Sequence, residues 1–405
     1  MDFEHCMDEY AKLIVCGGIR VAPGEKVLIN SDIATSDMAH RVSKVCYEQG
    51  AAKVEIRWSD SKMTGMNLQY ASEEILSQVA GWEELQMKEQ SEKLPCLIHL
   101  LCSDPNEGDS VLAQKQAVIT GNRLQVMMPH ILKMRNRYKW TAACIPTQDW
   151  ADLIFPGVED NLHKLWLEIL EIVNVNGDGT AVEKMDAKFQ TMWSHMDALN
   201  SLQLRKLHLE TELGTDLHVE LHERVPFTCA CGPQDDYTKN IPSEELFTSP
   251  IAGKAEGVLV ASVPFIYENQ YVEGLKLTFK DGRVADVKAD KGEAFFRKVV
   301  ETDPGASMLG EVAIVDKVSP IRGFDHIFGH TLLDENAACH IAVGRGFEFL
   351  IKDFMTMTPE EIADCGINES GIHCDIMWGT DHTRISGITA EEKEVVIMDD
   401  GEWCI

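Results

Sequence analysis

Positive charge is scarce in this chain: 37 Lys and Arg stand against 66 Asp and Glu, for a formal net charge of -29 at pH 7. Such a surface repels phosphates, which argues against a nucleic acid or an anionic membrane as partner. No uninterrupted apolar stretch reaches the ~18 residues that suggest a membrane span. The opening MDFEHCMDEYAKLIV is acidic where a secretory leader is basic, and no long apolar run follows it. The expected compartment is therefore the cytoplasm. Familiar site signatures are missing too. With no HExxH helix and no CxxC pair, the standard zinc patterns are absent. Gly17-Gly18 lacks the GxGxxG spacing and follows no strand, which argues against a dinucleotide site. The 12 cysteines are scattered from Cys6 to Cys404 without a repeating pattern, as in a reducing compartment and unlike a disulfide framework. The nearest pair, Cys229 and Cys231, has no second pair to complete a zinc site.

What is present is an ordinary globular composition, 44% hydrophobic and 25% charged. At 405 residues the chain is long enough for two domains and for a core that buries a site. Up to about residue 155, helices alternate with continuous apolar strands at Lys26 to Ile29, from Ala51, at Cys96 to Leu101 and at Thr141 to Pro146. Helices are expected over about 5–17, 37–49, 73–90 and 110–120. That pattern predicts an α/β domain with a mostly parallel sheet covered on both faces. Leu162, Leu165, Trp166, Ile169, Ile172 and Val173 recur at helical spacing, and a second helix follows over about 181–202. The boundary falls near residue 200, giving an N-terminal α/β domain over 1–200 and an α+β domain over 201–405. In the second, GLKLTFKDGRVADVKAD alternates apolar and polar residues on both sides of Asp281-Gly282, which predicts a β-hairpin.

Between Glu311 and Asp375 the second domain concentrates metal-ligand chemistry. LGEVAIV reads as a buried strand that carries Glu311. TLLDENAACH ends on His340, and a helix is expected to run from there through Leu350. GIHCDIMWG reads as a strand on which His373 and Asp375 share one face and Cys374 takes the other. Two imidazoles with carboxylates suit zinc, cobalt or manganese, singly or as a bridged pair. Taken alone, each histidine is as compatible with a core or surface role. Upstream, NIPSEELFTSP offers Glu244 and Glu245, which as bare sequence also read as a helix start capped by Ser243.

NIPSEELFTSP, LGEVAIV, TLLDENAACHIAVG and IHCDIMWG, in this order and spacing, resemble the sequence blocks of the M29 aminopeptidases, the aminopeptidase T, aminopeptidase S and PepS group. YAKLIVCGGIRVAPGEKVLI and GTDLHVEL resemble the same family, so the likeness runs nearly end to end. The resemblance implies a metallo-exopeptidase with two divalent ions, an N-terminal α/β domain, a C-terminal catalytic domain and a homodimer around an enclosed cavity. Carried over by position, the ligands are Glu245, Glu311, His340, His373 and Asp375. Glu245 is preferred to Glu244 because its distance to Glu311 matches the family spacing. Ligand type alone leaves zinc, cobalt, manganese and magnesium open.

The function implied is release of N-terminal amino acids from small peptides. Two ions ~3.5 to 4 Å apart would activate a shared water, and Glu311 would serve as proton acceptor or as bridging ligand. One residue departs from the family: Phe347 stands where members have a tyrosine, in the active site, seven residues after the histidine. Loss of one such hydrogen-bond donor costs about 10²- to 10³-fold in turnover in other enzymes. The alternative is thus an altered member that hydrolyses another amide or ester, or binds peptide or metal without efficient turnover. Phe347 is also expected to pack on the inner face of its helix, four residues from Val343. Arg345 and His382 are expected at the surface, and Cys339 and Cys374 as small buried fillers.

Overall fold

The computed structural model describes residues 2–102, 110–134, 137–268 and 270–405. The chain divides into two compact units, one of Met1–Ala187 with Gln234–Pro242 and one of Lys188–Pro233 with Ser243–Ile405.

The first unit is built on a parallel sheet with the strand order Lys53–Ser59, Lys26–Asp32, Cys96–Leu101, Trp140–Cys144, Asn240–Ile241. Its central strands are buried at successive positions, Val27, Leu28 and Ile29 in one and Leu97 and Ile98 in the next. A strand covered on both faces requires such a continuous apolar run. Helix Ser36–Glu48 buries Met38, Val42 and Val45, and helix Asn161–Ile172 buries Leu165, Trp166, Ile169 and Ile172. The opening helix is α-helical over Phe3–Lys12 and continues as a π-helix over Leu13–Ile19. A Cβ on Gly18 would lie 2.8 Å from Ile241 Cδ1 and 2.9 Å from Thr141 Oγ1. The glycine pair thus serves close packing. Helix Ser61–Tyr70, capped by Asp60, has no counterpart in the sequence reading because it buries a single residue, Leu68. The helix expected over about 110–120 extends to Met134.

The second unit contains an eight-stranded sheet in the order Arg283–Lys288, Lys276–Lys280, Ala255–Val260, Asp216–Glu220, Leu204–Glu210, Arg384–Thr389, Glu394–Asp399, Glu402–Trp403. The hairpin forms as expected, with a bulge between Thr278 and Phe279. Asp281 and Gly282 both adopt positive φ, 50° and 75°, the requirement of a tight hairpin turn.

Beside it lies a four-stranded antiparallel sheet in the order His373–Met377, His340–Gly344, Leu309–Val315, Glu245–Thr248. Two expectations are corrected here. His340 begins a strand and not a helix: Ile341 and Val343 are β-branched, all of His340–Gly344 is buried between two neighbouring strands, and only a short 3₁₀ turn, Glu348–Leu350, follows. Ser243 caps no helix either, since Glu245–Thr248 pairs with the Glu311 strand. No helix among the described residues is long and apolar enough to cross a membrane.

Candidate metal centre

The register of the four-stranded sheet explains why its polar residues meet. Glu311 is opposite Ala342, which is opposite Asp375; Gly344 is opposite His373; Ala313 is opposite His340; and Val315 is opposite Glu245. Opposed residues share a face, as do residues two apart. Glu245, Glu311, His340, His373 and Asp375 therefore project from the same face of four adjacent strands. Between them stand Ala313, Ala342 and Gly344, too small to fill the space. The other face carries Val312, Ile314, Ile341, Val343, Cys374 and Ile376, all 0% exposed. Hydrophobic burial there, at roughly 1.5–3 kcal/mol per large side chain, anchors the strands under the polar face.

Donor atoms converge as two trios, Glu245 with Glu311 and His340, and Glu311 with His373 and Asp375, each within 4.8 Å. Glu311 belongs to both. The first trio is dry, at 6%, 4% and 1% exposure, whereas the His373 side chain keeps 28%. Access is thus from the His373 side.

Both imidazoles are oriented by backbone carbonyls. His340 Nδ1 is 3.1 Å from Ala338 O and His373 Nδ1 is 2.7 Å from Arg345 O. A carbonyl only accepts, so Nδ1 carries the proton in each ring and Nε2 faces the carboxylates. His340 Nε2 lies 3.2 Å from Glu245 Oε2, and His373 Nε2 lies 3.1 Å from Glu311 Oε2 and 3.3 Å from Asp375 Oδ1. The last is an ion-pair contact, and Asp375 Oδ1 is a buried oxygen without a hydrogen bond. Burial opposes charge on the rings, but the bond to Glu245 and the fields of Glu311 and Asp375 raise His340 to about 10. Burial is likewise outweighed at His373 by the adjacent Asp375 and Glu311 carboxylates, which raise it to about 11. Burial, with the fields of Glu245 and Asp375, pushes Glu311 up to about 7 against the bond from His373. For Asp375, burial is outweighed by His373 and His340, which hold its carboxyl low.

Sequence reasoning missed two residues. Glu335 stands against the same cluster, and its pKa is driven well up by burial and then by Glu245 and Asp375. Asn336, 0% exposed, accepts the Glu244 N–H at 2.6 Å and donates to Leu332 O at 3.0 Å. It thereby ties the start of the Glu245 strand to the Glu335 turn. Both lie inside DENAACH, where an acidic and an amide residue next to a candidate ligand histidine were the available signal. The choice between adjacent glutamates also has a structural basis: Glu244 turns away into an ion pair with Lys188 at 2.6 Å.

Phe347 is on no helix. The chain leaves the strand at Gly344, and the Phe347 ring packs 5.2 Å from His373, 5.5 Å from Phe247 and 5.4 Å from Phe349. Its N–H donates to Ser249 Oγ at 2.8 Å. Arg345 and His382 are exposed, and Cys339 and Cys374 are buried at 2% and 0%.

The donor set fits divalent cations. Glu245, Glu311, Glu335 and Asp375 total four carboxyls around two imidazoles, more negative charge than a dry pocket sustains without protons or cations. Fixed Nδ1–H tautomers aim both Nε2 atoms inward, as the outer hydrogen bonds of metal-ligating histidines do, and Asp375 Oδ1 awaits a partner.

Comparison with known proteins follows the same line. The family described as "Thermophilic metalloprotease (M29)" matches residues 3–403. Aminopeptidase AmpS of Bacillus subtilis (strain 168) is 32% identical over 99% of this chain and 99% of its own length. Aminopeptidase PepS of Streptococcus thermophilus is 30% identical over 100% and 99%. The solved structure of wild-type AmpT from Thermus thermophilus is similar over 100% of both chains, with a TM-score of 0.89 at 26% identity.

Proposed function

This chain belongs to the thermophilic metalloprotease (M29) family and is a metallo-aminopeptidase, and from that premise we propose that it works with two divalent ions, one in each trio, on small peptides. The observation that carries the reading is that Glu311 is common to both trios. Zinc, cobalt, manganese or magnesium in these positions would supply an acidified water and polarise the scissile carbonyl. Glu245 and His340 would hold the dry position, and His373 and Asp375 the open one.

Glu311 faces both positions, so we assign it the bridge and not the proton. Glu335 lies outside both trios, and its raised pKa suits a carboxyl that takes a proton from water and returns it to the leaving amine. The surplus of carboxylates attracts a free α-ammonium group, which favours peptides with an unblocked N-terminus. A cavity of about 380 Å³ borders Met377 and Ala338 and is also lined by Ile321, Phe324, Glu212 and Asp381. Met377 is opposite His340 on the polar face, so this cavity would be a candidate pocket for the N-terminal side chain of a substrate that enters from the His373 side.

The wider reading keeps residues 1–200 as an α/β domain and 201–405 as the metal-binding domain, in a cytoplasmic homodimer. Twelve cysteines scattered without a repeating pattern support a reducing compartment.

The test is turnover of aminoacyl anilides with and without an acetylated N-terminus, by protein stripped and reloaded with each metal. The expected wild type cleaves only the free substrates. Glu311→Gln should lose bound metal, while Glu335→Gln should keep it and lose about 10²- to 10⁴-fold in kcat. Wild-type turnover by Glu335→Gln would remove the proton role. A wild type inert with every metal but revived by Phe347→Tyr would favour the alternative, a hydrolase of another amide or ester or a binder of peptide or metal.

A further inference from the structure

Away from that centre, strands Leu204–Glu210 and Asp216–Glu220 pair antiparallel with His208 opposite His218 and Glu210 opposite Asp216. Opposed and alternate residues share a face, so these two imidazoles and two carboxylates stand together. It is the outward face, because the intervening Leu207, Leu209, Leu217 and Val219 are at most 1% exposed while Asp216 and His218 are open. The rings stack with centroids 4.0 Å apart and planes at 18°. His208 Nε2 is 2.7 Å from Asp216 Oδ1, and one donor atom from each of His208, Asp216 and His218 lies within 4.8 Å of the others.

Nothing in the peptidase reading uses this cluster, and its neighbours leave it available. Glu210 is shared with Arg384 at 3.8 Å, and Lys206 on the same face pairs with Glu220 at 3.6 Å. Asp216 has 71% of its side chain exposed and, among the described residues, pairs in an ion pair with His208 alone.

We propose that His208, His218 and Asp216 form a surface site for a first-row divalent transition ion such as Zn²⁺ or Ni²⁺, separate from the Glu311 centre. Two imidazole nitrogens and one carboxylate oxygen are donors that such ions prefer and that Mg²⁺ and Ca²⁺, which take oxygen, do not. Tetrahedral bonds of about 2.0–2.1 Å set two nitrogens about 3.3 Å apart. The stacked rings reach that spacing by turning about their terminal torsions, which are broad and roughly two-fold. A bound ion links two strands of the eight-stranded sheet across their outer face and leaves a position for water.

Full-length protein, stripped by chelator, is titrated calorimetrically with ZnCl₂ as wild type, His218→Ala and His208→Ala. All three keep the Glu311 centre, so the difference isolates the surface site. The expected result is one more Zn²⁺ equivalent in wild type than in either variant, with peptidase turnover equal in all three. Zinc added beyond the equivalents that either variant takes up should raise the thermal midpoint of wild type and not of the variants, because an ion that binds only the folded state stabilises it. Equal stoichiometry in wild type and His218→Ala, with both folded by circular dichroism, overturns the proposal. So does an equal zinc-dependent rise in midpoint.

Discussion

At the scale of single residues, the contact between Phe347 and His373 decides most. The phenyl ring lies 5.2 Å from the imidazole, beside the more open of the two trios, where a phenol would bring a hydrogen-bond donor into the site. Phe347→Tyr is expected to raise kcat by about 10²- to 10³-fold, the usual worth of one well-placed donor to a developing oxyanion. KM and thermal stability should change little, since the partly exposed ring keeps its contacts. Steady-state kinetics on aminoacyl anilides reads this directly. An unchanged kcat would mean that the ring only packs against Phe247 and His373. On the proposed reading, Glu335 and Phe347 would thus act on one reaction from different sides, one through a proton and the other through a missing hydrogen bond.

At the scale of elements, the site is a property of strand pairing. Its candidate ligands come from four strands, and what brings them together is a register that a single backbone clash would disturb. Gly344, with φ of 99°, closes the His340 strand; a Cβ there would fall 2.3 Å from Ile372 O, next to the His373 strand. Gly344→Ala must therefore strain the backbone and push the His373 strand outward. The expected cost is about 1–3 kcal/mol for the backbone conformation alone, with weaker metal binding because His373 and Asp375 move together. Urea unfolding and a metal titration measure the two effects. Stability within about 0.5 kcal/mol of wild type, the range of an ordinary surface change, would show that the turn relaxes without disturbing the register.

At the scale of the whole molecule, the centre links folding, protons and metal. In the metal-free protein His340 at about 10 and His373 at about 11 remain charged at pH 7. Both values are raised above those of unfolded histidine, so their contribution to stability is full below about pH 6.5 and is lost as pH climbs through 10 and 11. Glu311, raised to about 7, contributes stability below about pH 4.5 that is lost as pH rises through 7. Asp375, held low, acts in the opposite sense and loses its contribution as pH falls through its folded value. An ion must displace the Nε2 protons of both histidines, so uptake at pH 7 should release about two protons and apparent affinity should rise with pH. Calorimetry in buffers of different ionisation enthalpy counts them. Binding without proton release would remove His340 and His373 from the ligand set.

The sequence by itself determined the parallel α/β layer and the hairpin at Asp281-Gly282, which rest on local rules, namely apolar runs, alternation and turn residues, complete within a few neighbouring residues. The candidate ligands came from the resemblance of its motifs to the M29 family, not from those rules. His340 read as helical although Ile341 and Val343 are β-branched, because so short an apolar run does not by itself separate a buried strand from a helix; burial between the Glu311 and His373 strands decided the matter. Only the tertiary structure placed Glu335 and Asn336 against the centre, turned Glu244 toward Lys188, and set His208 opposite His218. Each of these depends on which strands are neighbours and in what register, and that is fixed by packing between segments far apart in the chain.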